Sequence, residues 1–285
     1  MRLRVGHWSA DAPKGSILLF AGRSEYLEKY GHVARDLTGA GYSVLSIDWR
    51  GQGFSDRVTS DARLGHVADF ADYQLDVAAL VTMAKARDLQ KPWYLLGHSM
   101  GGCIGLRALI NDLPVKKAVF SAPMWGIFVA PNLRPIAHIL PGLSRLFSGQ
   151  LRTIPGTSPR SYVTDTAFAN NLLTTDRDTW DYLQRHAEAA PEYALGGPTV
   201  HWFEKARDET AALRAAPRPT LPVKTIAGTR EAIIDCTALI AMHENWPSGS
   251  LEWVEGARHD LMMEAPAIRQ QFFNKVFTFL EDSAD

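Results

Sequence analysis

Hydrophobic positions along the chain follow two alternating rhythms. Short, nearly uninterrupted apolar runs at 16–21, 43–48, 93–97 and 117–121 read as strands buried on both faces. Between them, longer segments repeat their apolar residues every three or four positions. Residues 28–40 place Tyr30, Val33, Ala34 and Leu37 on one helical face, with Gly39 and Gly41 as the stop. Residues 69–87 do the same through Phe70, Tyr73, Leu75, Val77, Leu80, Val81 and Ala84, and a third helix is predicted over 100–111, ended ahead of Pro114. Such alternation predicts a parallel sheet with crossover helices. From 122 to about 219 the rhythm breaks into a stretch rich in proline and tryptophan, with helical patterns at 176–189 and 199–215. Strand rhythm returns at 222–227 and 250–254, and a last helix is predicted over 265–281. The expected organisation is one α/β core, 1–121 and 220–285, interrupted by a helical insertion over 122–219.

Composition narrows the function classes. The 285 residues carry 30 basic against 31 acidic side chains, a balance that argues against a nucleic-acid partner. Cys103 and Cys236 match no metal or redox spacing, which fits a reducing compartment. The first eight residues lack the apolar core of a secretion signal, and no stretch has the ~20 apolar residues of a spanning helix; a cytoplasmic protein is expected. Zinc-ligand spacings are absent, and Gly51-Gln52-Gly53 lacks the third glycine of a nucleotide loop. No cofactor is expected. The charge is nevertheless uneven: residues 113–164 contain no Asp or Glu but do contain Lys116, Lys117, Arg134, Arg145, Arg152 and Arg160. Apolar residues at helical spacing accompany them. Such a face either packs the insertion on the core or makes peripheral contact with an anionic membrane.

The chemistry centres on Gly97-His98-Ser99-Met100-Gly101, a G-x-S-x-G pentapeptide between a predicted strand and a predicted helix. The turn it implies holds Ser99 in a strained conformation, and the glycines avoid collision across it. A serine hydroxyl needs a base to take its proton and an acid to orient that base. His259, in Gly256-Ala257-Arg258-His259-Asp260 between the last strand and the last helix, is the predicted base; His243 falls inside the predicted helix 236–245 and reads as a surface residue. Two acids follow the strand 222–227. Glu231 lies directly past its end and is preferred; Asp235 opens the next helix and reads equally as its N-cap. The backbone N–H of Met100 and that of Arg23, in the loop after strand 16–21, are the predicted oxyanion donors. The Arg23 guanidinium is available to hold Glu25 or to meet a substrate head group.

Several further motifs align with these residues: Phe20-Ala21-Gly22-Arg23-Ser24-Glu25-Tyr26, Lys29-Tyr30, Asp48-Trp49-Arg50-Gly51-Gln52-Gly53-Phe54-Ser55, Ser121-Ala122-Pro123-Met124 and Arg258-His259-Asp260. Together with the pentapeptide, the chain resembles the bacterial lysophospholipase and monoacylglycerol lipase group of α/β hydrolases. The resemblance implies an eight-stranded, mostly parallel sheet flanked by helices, a helical cap, and hydrolysis of a carboxylic ester of a single-chain, amphiphilic lipid. It makes Ser99 the nucleophile, His259 the base, and the Arg23 and Met100 amides the oxyanion hole. The chain departs from the pattern at Ala21, where monoacylglycerol lipases have histidine, and at Glu231, where they have the catalytic aspartate. The rival readings are a hydrolase of a non-lipid ester or thioester, and a non-catalytic receptor on the same fold.

Overall fold

The computed structural model describes residues 1–133, 135, 139, 151–193 and 195–282. Seven strands form one sheet: β1 (Val5–Trp8), β2 (Gly15–Phe20), β3 (Tyr42–Ile47), β4 (Trp93–His98), β5 (Lys117–Ser121), β6 (Val223–Gly228) and β7 (Gly249–Val254), in the order β1-β3-β2-β4-β5-β6-β7. Strand β1 pairs antiparallel with β3, and the other six run parallel. Every residue of β2, β3, β4 and β5 is buried, which is why these runs are mostly apolar rather than alternating. The α/β-hydrolase architecture expected from the sequence is present, with seven strands among the described residues where the resemblance implied eight. Strand β1, four half-buried residues without alternation, is not among the predicted runs. The residues before it do not fold back along its outer edge. The N–H groups of Arg2 and Arg4 donate to Asp56 and Ser55, and their carbonyls accept from Asp56 and Asp48.

Helices α1 (Gly31–Gly39), α2 (Asp72–Ala86) and α3 (Met100–Ile110) occupy the predicted crossovers. The segment predicted as one helix over 28–40 splits, because a 3-10 turn over Leu27–Tyr30 precedes α1. The insertion between β5 and β6 contributes α4 (Arg177–Ala189) and α5 (Val200–Ala215), capped by Asp176 and Thr199, whose side chains accept from the N–H of Thr179 and Trp202. Trp202, Phe203, Ala206 and Leu213 of α5 join the hydrophobic core beneath it, and Arg107 of α3 pairs with Glu209. A single helical turn spans Tyr162–Asp165, and helices α6 (Cys236–His243) and α7 (Pro266–Glu281) follow β6 and β7, α7 burying Phe272, Phe273, Val276 and Leu280. No helix among the described residues is long and apolar enough to cross a membrane.

The strand order places one feature above the others. The chain leaves β2 to the outer neighbour β3, then crosses back over β2 to β4, so β2 and β4 adjoin at a topological switch point. Their carboxyl ends are level, Phe20 opposite Gly97. The loops after them, carrying Arg23 and Ser99, therefore emerge side by side.

Candidate active site

Ser99 joins β4 to α3 with φ 51° and ψ −117°, a conformation that costs a side-chain-bearing residue about 1–3 kcal/mol. The surroundings hold it there. Its N–H donates to Ser121 O at 3.0 Å, and its carbonyl accepts from Met124, Gly102 and Cys103 at 2.9, 2.9 and 3.2 Å. Close approach explains the glycines. A Cβ on Gly101 would lie 2.1 Å from Phe20 O and 2.5 Å from Ala21 O, and one on Gly102 would lie 2.5 Å from Pro123 Cβ. At Gly97 the nearest contact would be 3.0 Å, so the demand is weaker there. The N–H of Met100, the first of α3, precedes any acceptor within the helix and lies at its positive end.

His259 lies after β7 and is buried, with Nε2 2.9 Å from Ser99 Oγ and Nδ1 2.7 Å from Glu231 Oε2. Glu231 Oε1 accepts from the N–H of Ala232, Ile233 and Ile234 at 2.9, 2.7 and 3.3 Å. A nest of main-chain dipoles thus holds one carboxylate oxygen while the other faces the imidazole. Burial pushes the Glu231 carboxyl up, but the His259 charge and hydrogen bond with the nest outweigh it and hold it below its ordinary value. For His259 burial works against the charged ring, yet Glu231, then Asp260 and Glu25, carry its pKa above the ordinary value. The two shifts agree: Glu231 stays ionised and favours a proton on His259.

The other candidate acid goes elsewhere. Asp235 is the N-cap of α6, its Oδ1 accepting from Thr237 N at 3.0 Å and Ala238 N at 3.4 Å. His243 ends α6 and is half-buried, its ring stacked 5.3 Å from that of Trp246 and tilted 5.8 Å from that of Trp125, so it packs against the tryptophans rather than lying open on the surface. The Arg23 guanidinium does not hold Glu25. It donates to Ser24 Oγ at 3.0 Å and Gly196 O at 2.8 Å.

Glu25 belongs to a buried network that the sequence reading missed. Lys29 bridges Glu25 and Asp260, while Tyr30 OH and Gly22 N–H both donate to Glu25. The Lys29 charge overcomes burial and pulls the Glu25 carboxyl down to about 2. His98 donates from Nδ1 to Ser121 O at 3.0 Å, and its Nε2 lies 3.7 Å from both Glu25 and Asp260. Its ring centre is 4.9 Å from that of His259. Glu25, His98 and Asp260 converge closely enough to ligate an ion, but the Lys29 ammonium already fills the cationic position between the carboxylates. The signal was legible as Glu25 and Lys29 at i,i+4. The Gly22 loop is braced further by Gln52, whose Oε1 accepts from the N–H of Ser24.

A second set of bonds ties the histidine loop to the insertion. The N–H groups of His259 and Asp260 donate to Leu172 O and Leu173 O at 3.3 and 2.9 Å. Buried Glu264 accepts from Arg258 N at 2.7 Å and Thr175 N at 2.8 Å. Ser99 and His259 open on a cavity of about 870 Å³ shared by core and insertion, with Ile127, Phe128, Leu173, Leu195, Phe203 and Ile234 on its mostly apolar wall. Of the arginines flagged in the acid-free stretch, Arg134 and Arg145 lie outside the described residues; Arg152 is exposed, and Arg160, also exposed, pairs with Asp165 at 2.8 Å.

Comparison with known proteins converges on the same group. The family model for serine aminopeptidase, S33, matches residues 11–266. Lysophospholipase L2 of Escherichia coli is 30% identical over 281 residues, 92% of this chain and 79% of that protein. The probable lysophospholipase L2 of Haemophilus influenzae is 27% identical over 272 residues, 95% of this chain and 85% of that one. Among solved structures, a soluble variant of monoglyceride lipase from Saccharomyces cerevisiae in complex with a substrate analog superposes with a TM-score of 0.75 at 23% identity, covering 98% of this chain and 91% of the other. The chain therefore belongs to the serine aminopeptidase S33 family, within the lysophospholipase and monoacylglycerol lipase group of α/β hydrolases, and is a carboxylic ester hydrolase.

Proposed function

We propose that the protein hydrolyses the carboxylic ester of a single-chain, amphiphilic lipid by acyl transfer to Ser99, with residues 122–219 acting as a cap over the site. The observation that carries this reading is the unbroken relay from Ser99 Oγ through His259 to Glu231, opening on a large apolar cavity. His259 Nε2 takes the Ser99 proton as Oγ attacks the acyl carbon. The N–H groups of Arg23 and Met100 hold the tetrahedral oxyanion. Protonated His259 then donates to the leaving alcohol oxygen, giving an acyl-Ser99 ester. Water, deprotonated by the same histidine, attacks that ester, and the fatty acid departs with Ser99 restored. The apolar wall suits an acyl chain, and the named activity of the Escherichia coli relative is in keeping with such a substrate.

Phe128, Leu133, Ile139, Leu151, Tyr162 and Leu172 of the insertion are exposed, most of them within the stretch free of Asp and Glu. That combination supports peripheral contact of this face with an anionic lipid surface. Replacing Ser99 by Ala is expected to abolish both ester hydrolysis and labelling by a fluorophosphonate while leaving the fold intact. Near-native hydrolysis by the variant would discard the mechanism.

A further inference from the structure

Five charged side chains line the cavity beside Ser99: Arg23, Glu25, Lys29, Arg160 and Asp165. Glu25 and Lys29 pair with each other, with Asp260 as a third member, and Arg160 pairs with Asp165. Among the described residues Arg23 has no carboxylate within salt-bridge distance. Its Nε–H is shut off from solvent and has no hydrogen-bond partner; only Ser24 Oγ and Gly196 O accept from its planar head. Burial drags its pKa down to about 10, still far above neutrality, so the charge persists.

A partly buried cation without a counter-charge is costly unless something answers it, and the local chain is shaped to keep it. The guanidinium lies 5.1 Å from the Trp202 ring centre, and a Cβ on Gly65 would come within 1.8 Å of its Nη2, so a side chain there would evict it. Arg23 also carries the main-chain N–H assigned to the oxyanion, a donor that a side-chain substitution keeps, so its side chain starts from the carbonyl end of a bound ester rather than from the far end of its acyl tail. A guanidinium with unused N–H donors matches the paired oxygens of a phosphate.

Resting on the acyl-transfer reading of the site, we propose that the Arg23 guanidinium is a head-group subsite that receives the phosphodiester of a lysophospholipid and selects that substrate over a neutral monoacylglycerol. The remaining unpaired charge of the wall then meets its counter-charge only when such a lipid is bound. A monoacylglycerol, with hydroxyls alone, leaves it unanswered.

The test compares kcat/KM for palmitoyl lysophosphatidylcholine and for palmitoylglycerol in the same neutral detergent micelles. For Arg23→Gln the ratio of the two should fall at least about tenfold, chiefly through KM for the lysophospholipid. Equal losses on both lipids, the mark of a purely structural strut, or an unchanged ratio would overturn the subsite. A measurement on the wild type keeps the test decisive even if the variant folds poorly. Glycerophosphocholine should inhibit palmitoylglycerol hydrolysis competitively and more strongly than glycerol does; equal inhibition by the two would likewise overturn the subsite. A wild type that labels with fluorophosphonate at Ser99 yet hydrolyses neither lipid removes the lipid-ester reading and the subsite together, whereas failure in an enzyme active on both lipids removes the subsite alone.

Discussion

At the scale of single residues, the acid of the relay is the sharpest point. Glu231 and Asp235 are equivalent by residue type and four positions apart, and what separates them is where each carboxylate is spent. Glu231 uses one oxygen on three main-chain N–H groups and the other on His259, whereas the resolved bonds of Asp235 cap α6. Glu231→Gln is expected to lower kcat by about 10³-fold or more, because the imidazole loses both its orienting partner and its counter-charge. Asp235→Asn should leave kcat within a few-fold and cost at most about 1 kcal/mol of stability through the cap, read as a small fall in Tm. The opposite pattern would reassign the acid. A pH profile follows from the raised His259 pKa. Protonated His259 cannot accept the Ser99 proton, so kcat/KM should be low in acid and rise as the proton leaves. Since Glu231 stabilises that proton, the midpoint should lie above the ordinary histidine value of about 6.5, and in Glu231→Gln whatever activity remains should show a lower midpoint.

At the scale of elements, the predicted strands and helices stand within a residue or two at most ends because their signals are physical and local: a fully buried parallel strand must be apolar on both faces, and an amphipathic helix must repeat its stripe. Ser99, His259 and Glu231, the proposed relay, are legible for a related reason, since each follows closely on the end of a strand. What was not readable needed partners distant in sequence. Strand β1 has neither length nor alternation, and only its pairing with β3 makes it a strand. Asp260 and Lys29 are 231 positions apart, and no periodicity links them. Gly102 is demanded by Pro123, and Gly101 by the carbonyls that end β2, so the elbow after β4 fits only against its neighbouring strand. Gly101→Ala is accordingly expected to do more than perturb the active site. With a methyl driven into two main-chain oxygens, the β2–β4 junction must part, at about 3 kcal/mol or more, and Tm should drop along with activity. A variant with unchanged Tm would show that the junction has slack.

At the scale of the whole molecule, an overall charge near zero hides a division of labour. Ion pairs are spread over both ends of the chain, the Glu25, Lys29 and Asp260 network among them, while the charged side chains of residues 113–164 are all basic. Exposed Phe128, Leu133, Ile139 and Leu151 in that stretch suit a lipid interface. Replacing Arg134, Arg145 and Arg152 by Glu should weaken sedimentation with phosphatidylglycerol vesicles at low salt, leaving phosphatidylcholine vesicles unaffected; undiminished sedimentation would dismiss the interface.

The bonds between the histidine loop and Leu172, Leu173 and Thr175 carry a consequence for how this enzyme can be simplified or diversified. Residues 122–219 are not a removable accessory over a self-sufficient catalytic core, because the carbonyls that fix the main chain at His259 belong to that stretch. Trimming it to widen substrate range is expected to loosen His259, the proposed general base. Exchange of the corresponding segment between relatives should preserve turnover only where the 171–175 stretch and its Glu264 anchor travel as a unit.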